Sequence, residues 1–219
     1  MDFLSVGVEV DTLYIDYSKA VDKVDHLILL KKLQIYGVTG NYYKWIKCFL
    51  SGRKQVVSVN NNFSYETPAI SGVPQGSVLG PLLFILYIND MVHSIKYSKL
   101  QTFADDTKIA HPILSVSDKV SLQNDLEIIK QWSKENNMEL NQKKFELIRH
   151  QAKVKTSTAV LKDLKELPFM NDVYTYAVTN SITIYPTSTV RDLGILIDSQ
   201  LNWDSHVTKI TMDARKMSG

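Results

Sequence analysis

Ser71-Gly72-Val73-Pro74-Gln75-Gly76-Ser77-Val78-Leu79-Gly80-Pro81 places three glycines and two prolines in eleven residues. That density forbids regular structure until Pro81 opens a helix at its first turn. The helix predicted next, Leu82 to about Ile95, is apolar nearly all round and reads as buried. Upstream, Gln55 to Val59 and Ser64 to Ile70 read as two strands joined at Asn60-Asn61-Asn62. Before them, Tyr42, Trp45, Ile46, Phe49 and Leu50 mark one apolar helix face, with Lys44 and Lys47 on the other. Further back, Asp22 is the expected cap of a helix closed by Gly37, and the short apolar run Val10 to Ile15 stops at Asp16. Downstream, Leu100 to Phe103 and Thr107 to Ala110 form a tight hairpin carrying Asp105 and Asp106 at its tip. Asp118 is placed to cap a long helix through Leu122, Leu126, Ile129 and Trp132, ended by Asn136-Asn137. Short strands are expected near Phe145 to Ile148, Val173 to Val178, Ile182 to Tyr185 and Leu193 to Ile197, then a helix from about Asp204.

The 219 residues are 44% apolar and 22% charged, with net charge +2. This composition excludes disordered, collagen-like and disulfide-stapled classes. A single cysteine, Cys48, excludes an intrachain disulfide and a cysteine-based zinc site. The N-terminus lacks the pattern of a signal peptide. The densest apolar run, Leu82 to Ile88, is seven residues, against the roughly 20 that cross a bilayer. The expected location is therefore intracellular, in cytoplasm or nucleus, with no membrane partner. Charge placement says more than the total. No acid intervenes between Asp25 and Glu66, while Lys31, Lys32, Lys44, Lys47, Arg53 and Lys54 accumulate. Lys143, Lys144, Arg149, Lys153, Lys155 and Lys162 form a second run, interrupted only by Glu146. Such runs are either solvated faces or a polyanion-binding surface.

Asp16 at a strand end and Asp105-Asp106 on a hairpin tip are the candidate chemistry. Carboxylates gather at backbone ends when they hold a hard divalent ion, because Mg2+ prefers oxygen ligands. If the two strands are neighbours, Asp16 and Asp105 would bridge two metals about 4 Å apart, the arrangement for nucleotidyl transfer. The commonplace alternative for an Asp-Asp pair is a solvated turn.

The company these acids keep resembles a known family, the reverse transcriptases of non-LTR (long interspersed, jockey-like) retrotransposons. The run from Asp11-Thr12-Leu13-Tyr14-Ile15-Asp16 through Asp25-His26 is similar to the family's first palm motif. Ser71 to Pro81 resembles the second nearly letter for letter, and Phe103-Ala104-Asp105-Asp106-Thr107 the third. Leu140-Asn141-Gln142-Lys143-Lys144 resembles the fourth, and Asp192-Leu193-Gly194 through Leu201, Trp203 and His206 the primer-grip region.

The resemblance implies an α+β fold. Its expected form is a right-hand polymerase palm, an antiparallel RRM- or ferredoxin-like sheet packed on helices, with part of the fingers near residues 38–70. Residues 1–150 would be palm and partial fingers, and 151–219 the primer-grip region and start of the thumb connection, so that the chain is a core truncated at both ends. It further implies two Mg2+ ions, or Mn2+ as substitute, held by Asp16, Asp105, Asp106 and the carbonyl of Tyr17. Gln75 and Gly76 would meet the incoming dNTP, and Lys144 would assist pyrophosphate departure. Lys44, Lys47, Arg53 and Lys54 would follow an RNA template and DNA primer duplex. Five residues past Asp16 the family carries a large aromatic under the nucleotide sugar; Val21 stands there in this chain, which leaves selection between deoxy- and ribonucleotides open. The alternatives are a catalytically inactive remnant that binds nucleic acid or only folds, and an RNA-templated RNA polymerase or intron-type maturase.

Overall fold

The computed structural model describes Leu4 and residues 7–151, 175–179 and 181–217. Lys153, Lys155 and Lys162 of the second basic run, and residues 173–174 of an expected strand, lie outside the described residues. The chain divides into two compact units: residues 1–16, 95–129 and 141–219 form one, and residues 17–94 and 130–140 the other.

The first unit is built on a sheet in the order β11 (Pro186–Thr187), β8 (Glu146–His150), β1 (Glu9–Ile15), β7 (Asp106–Ile113), β6 (Lys99–Phe103). All its pairings are antiparallel except β11 on β8, so the sheet is mixed rather than wholly antiparallel as expected. β7 alternates buried Thr107, Ile109, His111 and Ile113 with more open Asp106, Lys108, Ala110 and Pro112, the period-two signature of a strand with one core face. Register then sorts the central strand. Asp11, Leu13 and Ile15 share a face with His111, Ile109 and Thr107, while Tyr14 stands opposite Lys108 on the other.

α4 (Val116–Glu135) contributes buried Leu122, Leu126 and Ile129 to this unit at helical spacing. α4 starts at Val116, earlier than expected, so Asp118 lies within its first turn and not at the N-cap; from there its carboxylate reaches back to accept the amides of Leu114 and Ser115. Tyr176, in β9 (Tyr176–Ala177), donates its hydroxyl to Asp11 at 2.7 Å, and the neighbouring Ala177 amide bonds Gln123 of α4, which puts α4 and β9 on the Asp11 face. β9 pairs with β10 (Thr183–Ile184). Asp125, fully buried, accepts the amides of Lys96, Tyr97 and Ser98 at 2.6–3.0 Å and so anchors the entry to β6. The strand expected at Leu193 to Ile197 is instead a hairpin of β12 (Thr189–Asp192) and β13 (Ile195–Asp198), because Leu193 and Gly194 take left-handed φ values of 47° and 87° that reverse the chain. α5 (Asp204–Met217) follows.

In the second unit, a 3-10 turn at Ala20–Lys23 precedes α1 (His26–Ile35), α2 (Gly40–Leu50) and α3 (Leu79–Ile88). Asp25, not Asp22, caps α1, accepting from Leu27 at 2.8 Å and Ile28 at 3.0 Å. Burial opposes its ionisation, but those amides and the Asn137 side chain hold the Asp25 carboxyl below its ordinary range. Between α2 and α3 the expected two long strands are four two-residue ones: β2 (Lys54–Gln55) pairs β5 (Thr67–Pro68), and β3 (Ser58–Val59) pairs β4 (Asn62–Phe63) across left-handed Asn60 and Asn61. α3 begins at Leu79, three residues earlier than expected, and Gly80 is required there because a Cβ would stand 2.5 Å from the Pro74 carbonyl oxygen. The helix buries Leu83, Phe84, Tyr87 and Ile88 but leaves Leu82 and Ile85 half exposed, so it is not enclosed all round. Lys32 is likewise no surface cation. It is buried against the rings of Tyr87 and Trp132 and donates to the Tyr87 carbonyl and Asp90. Among the described residues no helix is long and apolar enough to cross a membrane.

Candidate active site

On the sheet face opposite α4, β1 runs directly into Asp16 and β7 begins at Asp106. Since Ile15 pairs with Thr107, the next residues outward are Asp16 and Asp106, facing the same way by alternation. Both line a cavity of about 630 Å³ with Tyr14, Lys108, Lys144 and Asp192. Ala104 and Asp105 form the two-residue turn, with Ala104 at φ 52°, a II′-type geometry that an alanine adopts at some strain. Asp105 is exposed on that turn.

Charge in this cavity is uneven. Oδ2 of Asp16 is buried, accepts no hydrogen bond, and lies 3.4 Å from Nζ of Lys144. Burial and the nearby carboxylates of Asp105, Asp192 and Asp16 push the Asp106 carboxyl up, against a smaller opposing pull from Lys108. The raised Asp106 carboxyl, beside an Asp16 oxygen that is buried and accepts no hydrogen bond, is a donor set suited to a hard divalent cation. Among the described residues no three His, Cys, Asp or Glu side chains are gathered closely enough to hold a metal alone. That is the ordinary situation for Mg2+, which uses one or two carboxylates and completes its octahedron with water and substrate phosphate.

Lys143 and Lys144 reach the same cavity from a 3-10 turn at Gln142–Lys144, tied to the end of β1 by the Asn141 amide on the Asp16 carbonyl at 2.8 Å. Phe145, next in sequence, is buried in this unit. Alternation along β1 and β7 carries the signal for Tyr14 and Lys108, two residues from each acid. Asp192 carries its signal in the Asp192-Leu193-Gly194 string and not in strand alternation, and a distant hairpin brings it to the cavity.

In the second unit the glycine-rich loop is stitched to the 3-10 turn after Tyr17. The Gly72 amide bonds the Val24 carbonyl at 2.8 Å, Val73 the Val21 carbonyl at 3.1 Å, and the Ser71 hydroxyl the Asp22 carbonyl at 2.8 Å. Gln75 donates its side-chain amide to Asp22 at 3.0 Å, and Gly76 sits at φ 78° with open space where a Cβ would lie. Tyr17 is buried, its hydroxyl on the Met91 sulfur, and Val21 is half-buried. Arg53 is committed inward: its guanidinium donates to the carbonyls of Leu50 at 3.2 Å and Gly72 at 2.6 Å, and His26 Nε2 lies 2.8 Å from that same Gly72 oxygen. Lys54 pairs with Glu66 across β2 and β5. Lys44 and Lys47 stand exposed on α2, and so do Tyr42 and Trp45 of the apolar face; of that face only Leu50 is buried.

Gly72 cannot be replaced cheaply. Its φ is 80°, and a Cβ would meet the Asp22 carbonyl oxygen at 2.8 Å and its Cα at 2.9 Å, both backbone atoms that cannot swing aside. Gly72→Ala is expected to destabilise by about 2–4 kcal/mol, left-handed strain and overpacking added together. A shift of the urea midpoint would measure it, and an unshifted midpoint would contradict this geometry.

The reverse transcriptase (RNA-dependent DNA polymerase) family profile matches residues 12–194, from the strand that leads to Asp16 through the turn after Asp192. The chain belongs to the reverse transcriptase family. It is 29% identical over 205 residues to the probable RNA-directed DNA polymerase from transposon X-element of Drosophila melanogaster, covering 91% of this chain and 21% of that protein. To the RNA-directed DNA polymerase from mobile element jockey of the same species it is 28% identical, covering 90% and 20%. The chain therefore spans about a fifth of the length of these relatives. Among solved structures, apo telomerase from Candida tropicalis, truncated from its C-terminal domain, superposes with TM-score 0.56 at 10% identity, over 89% of this chain and 35% of that one. Telomerase from Candida albicans, in complex with a fragment of telomeric RNA, superposes with TM-score 0.53 at 12% identity. The shared fold is α+β, and this is a reverse transcriptase domain homologous to retrotransposon RNA-directed DNA polymerases.

Proposed function

We propose that this reverse transcriptase domain catalyses RNA-templated nucleotidyl transfer from a dNTP to a primer 3′-hydroxyl. The observation that supports this most is the shared face of Asp16 and Asp106, with a buried, hydrogen-bond-free oxygen on Asp16. Asp16, Asp105 and Asp106, with the carbonyl of Tyr17, would hold two Mg2+ ions, or Mn2+ in their place. Bound there, the ions would lower the pKa of the attacking hydroxyl and neutralise the leaving pyrophosphate. Lys144 holds an ammonium beside Asp16, where it would supply a cation or a proton to the departing pyrophosphate. Gly76 lets the backbone approach the nucleotide closely, and Gln75, released from Asp22, would bond the nascent pair. Val21 offers a small aliphatic wall to the sugar. Lys44 and Lys47 would take template and primer phosphates. Arg53 would reach phosphate only by leaving Gly72, so its first role is to hold the loop. Residues 1–150 would form the palm with partial fingers, and 151–219 the primer-grip region and start of the thumb connection.

The test is primer extension on poly(A)/oligo(dT) with Mg2+, with an Asp105→Asn, Asp106→Asn chain beside it. Incorporation well above that control is expected. Incorporation equal to it overturns catalysis by this chain, and salt-sensitive binding without incorporation would identify it as a nucleic-acid-binding remnant instead.

A further inference from the structure

The carbonyl oxygen of Gly72 is held from two directions. Nη2 of Arg53 donates to it at 2.6 Å, and Nε2 of His26 lies 2.8 Å away. A carbonyl only accepts, so the His26 tautomer that fits this contact carries its proton on Nε2, and both lone pairs of the oxygen are used. The other edge of the same peptide is fixed as well, because the Val73 amide donates to the Val21 carbonyl at 3.1 Å. His26 is itself set before it meets the loop. It is the first residue of α1, behind the Asp25 cap, and Asp25 also accepts the Asn137 side chain at 3.0 Å. The Asp25 amide donates to the Tyr87 hydroxyl at 3.4 Å, which in turn donates to the Asn136 carbonyl at 2.5 Å.

The far end of the loop is anchored too. The Ser77 hydroxyl donates to the Pro74 carbonyl at 2.6 Å and accepts the Gly80 amide at 3.0 Å, which joins the loop to the start of α3. Between the anchors stand Gln75 and Gly76, both exposed. Gly72 has no Cβ to restrict its torsions, so the direction in which these two residues leave depends on the plane of the Gly72–Val73 peptide. Arg53 is a long, flexible side chain, and one bond from it would let the carbonyl pivot. A second donor from the rigid start of a helix removes that freedom.

We propose that His26 is a positioning residue for nucleotide binding: with Arg53 it locks the Gly72–Val73 peptide and so sets where Gln75 and Gly76 meet the incoming nucleotide. The nucleotide half of this statement rests on the polymerase reading; the lock stands on the protein alone. His26 acts through the loop and is not a catalytic residue.

Two variants of the full chain test it. His26→Leu removes the donor, whereas His26→Gln puts an amide nitrogen where Nε2 stands. Without nucleic acid, the Gly72 and Val73 amides should exchange about tenfold faster in His26→Leu and within about threefold of the unchanged rate in His26→Gln. Exchange in His26→Leu within about twofold of the unchanged chain would overturn the lock. The second measurement is the Kd of the next dNTP, with Mg2+, for the chain bound to an RNA template and a dideoxy-terminated primer. It should rise about tenfold in His26→Leu and return in His26→Gln, while the Kd of the template-primer duplex stays within about twofold in all three chains. An unchanged dNTP Kd in His26→Leu, a parallel loss of duplex binding, or no dNTP binding by the unchanged chain overturns the positioning role. Because neither readout needs incorporation, a chain that passes both and fails primer extension would sink catalysis and leave this inference standing.

Discussion

Asp16→Asn is expected to leave the chain folded and to lower templated incorporation about a thousandfold. The substitution keeps shape and removes one negative charge from an oxygen that is buried, unbonded and 3.4 Å from an ammonium. Charge stabilisation by metal is worth several kcal/mol in such reactions, and about 4 kcal/mol corresponds to a factor of about a thousand. Incorporation within about tenfold of the unchanged chain would remove Asp16 from the reacting centre. Asp106 offers a companion measurement with a sign. Its carboxyl is raised in the folded state by burial and by Asp105, Asp192 and Asp16, so the folded chain binds its proton more tightly than the unfolded chain does. The folded state consequently loses stability as pH rises from the ordinary Asp range through the raised value, and the loss persists at neutral pH. Asp106→Asn should therefore melt higher than the unchanged chain at pH 7, with the gap closing as pH falls below the Asp range. A lower melting temperature at pH 7 would contradict the repulsion seen in the cavity.

Asp11→Ala should cost about 3–5 kcal/mol, because it takes the bidentate carboxylate from a largely buried guanidinium and leaves Glu9, 3.9 Å from Nε, as a more distant counter-charge. Asp11 is fully buried on the α4 face. It takes Arg149 in a bidentate pair, Nε at 2.7 Å and Nη2 at 2.8 Å, and the Tyr176 hydroxyl at 2.7 Å. Those bonds and the charges of Asp11 and Glu9 raise Arg149 against its burial, so the arginine remains a cation that needs a counterion. Replacing both partners, Asp11→Leu with Arg149→Met, should recover most of the loss, since a buried pair pays heavily for desolvation and an apolar substitute does not. Urea unfolding of the single and double variants measures this. A single variant losing less than about 1 kcal/mol would show that the pair is dispensable.

The strand ending at Asp16, a tight hairpin after Phe103 and an irregular glycine-rich loop from Ser71 are legible in the sequence, because each is written in local chemistry, although Asp106 opens β7 where the tip was expected and the loop gives way to helix at Leu79. Alternation makes a strand, a two-residue turn needs special φ, and glycine with proline breaks regular structure. Competing local signals were harder. Asp22 is the cap expected from the sequence, but a 3-10 turn occupies it and Asp25 caps the helix in its place. Tyr42 and Trp45 fit the helical apolar stripe, yet they are exposed, since a period says which residues share a face but not whether anything covers it.

What a residue does with its charge was invisible in the chain. Lys32 and Arg53 read as members of one basic run with Lys44 and Lys47, but the first is buried on Asp90 and the second is spent on the Gly72 carbonyl. Asp11 and Asp16 are five apart on one strand, and the pleat sends them to opposite faces, one into a closed ion pair and the other into a cavity. The nearly balanced charge read from composition thus resolves into pairs and one uneven cavity. The sequence alone settles the family and the acids of its motifs, because these are strings of adjacent residues whose backbone geometry is local. The fold alone settles which charges are already neutralised, because a salt bridge such as Lys108 to Asp192 joins residues 84 apart and exists only once the strands have paired.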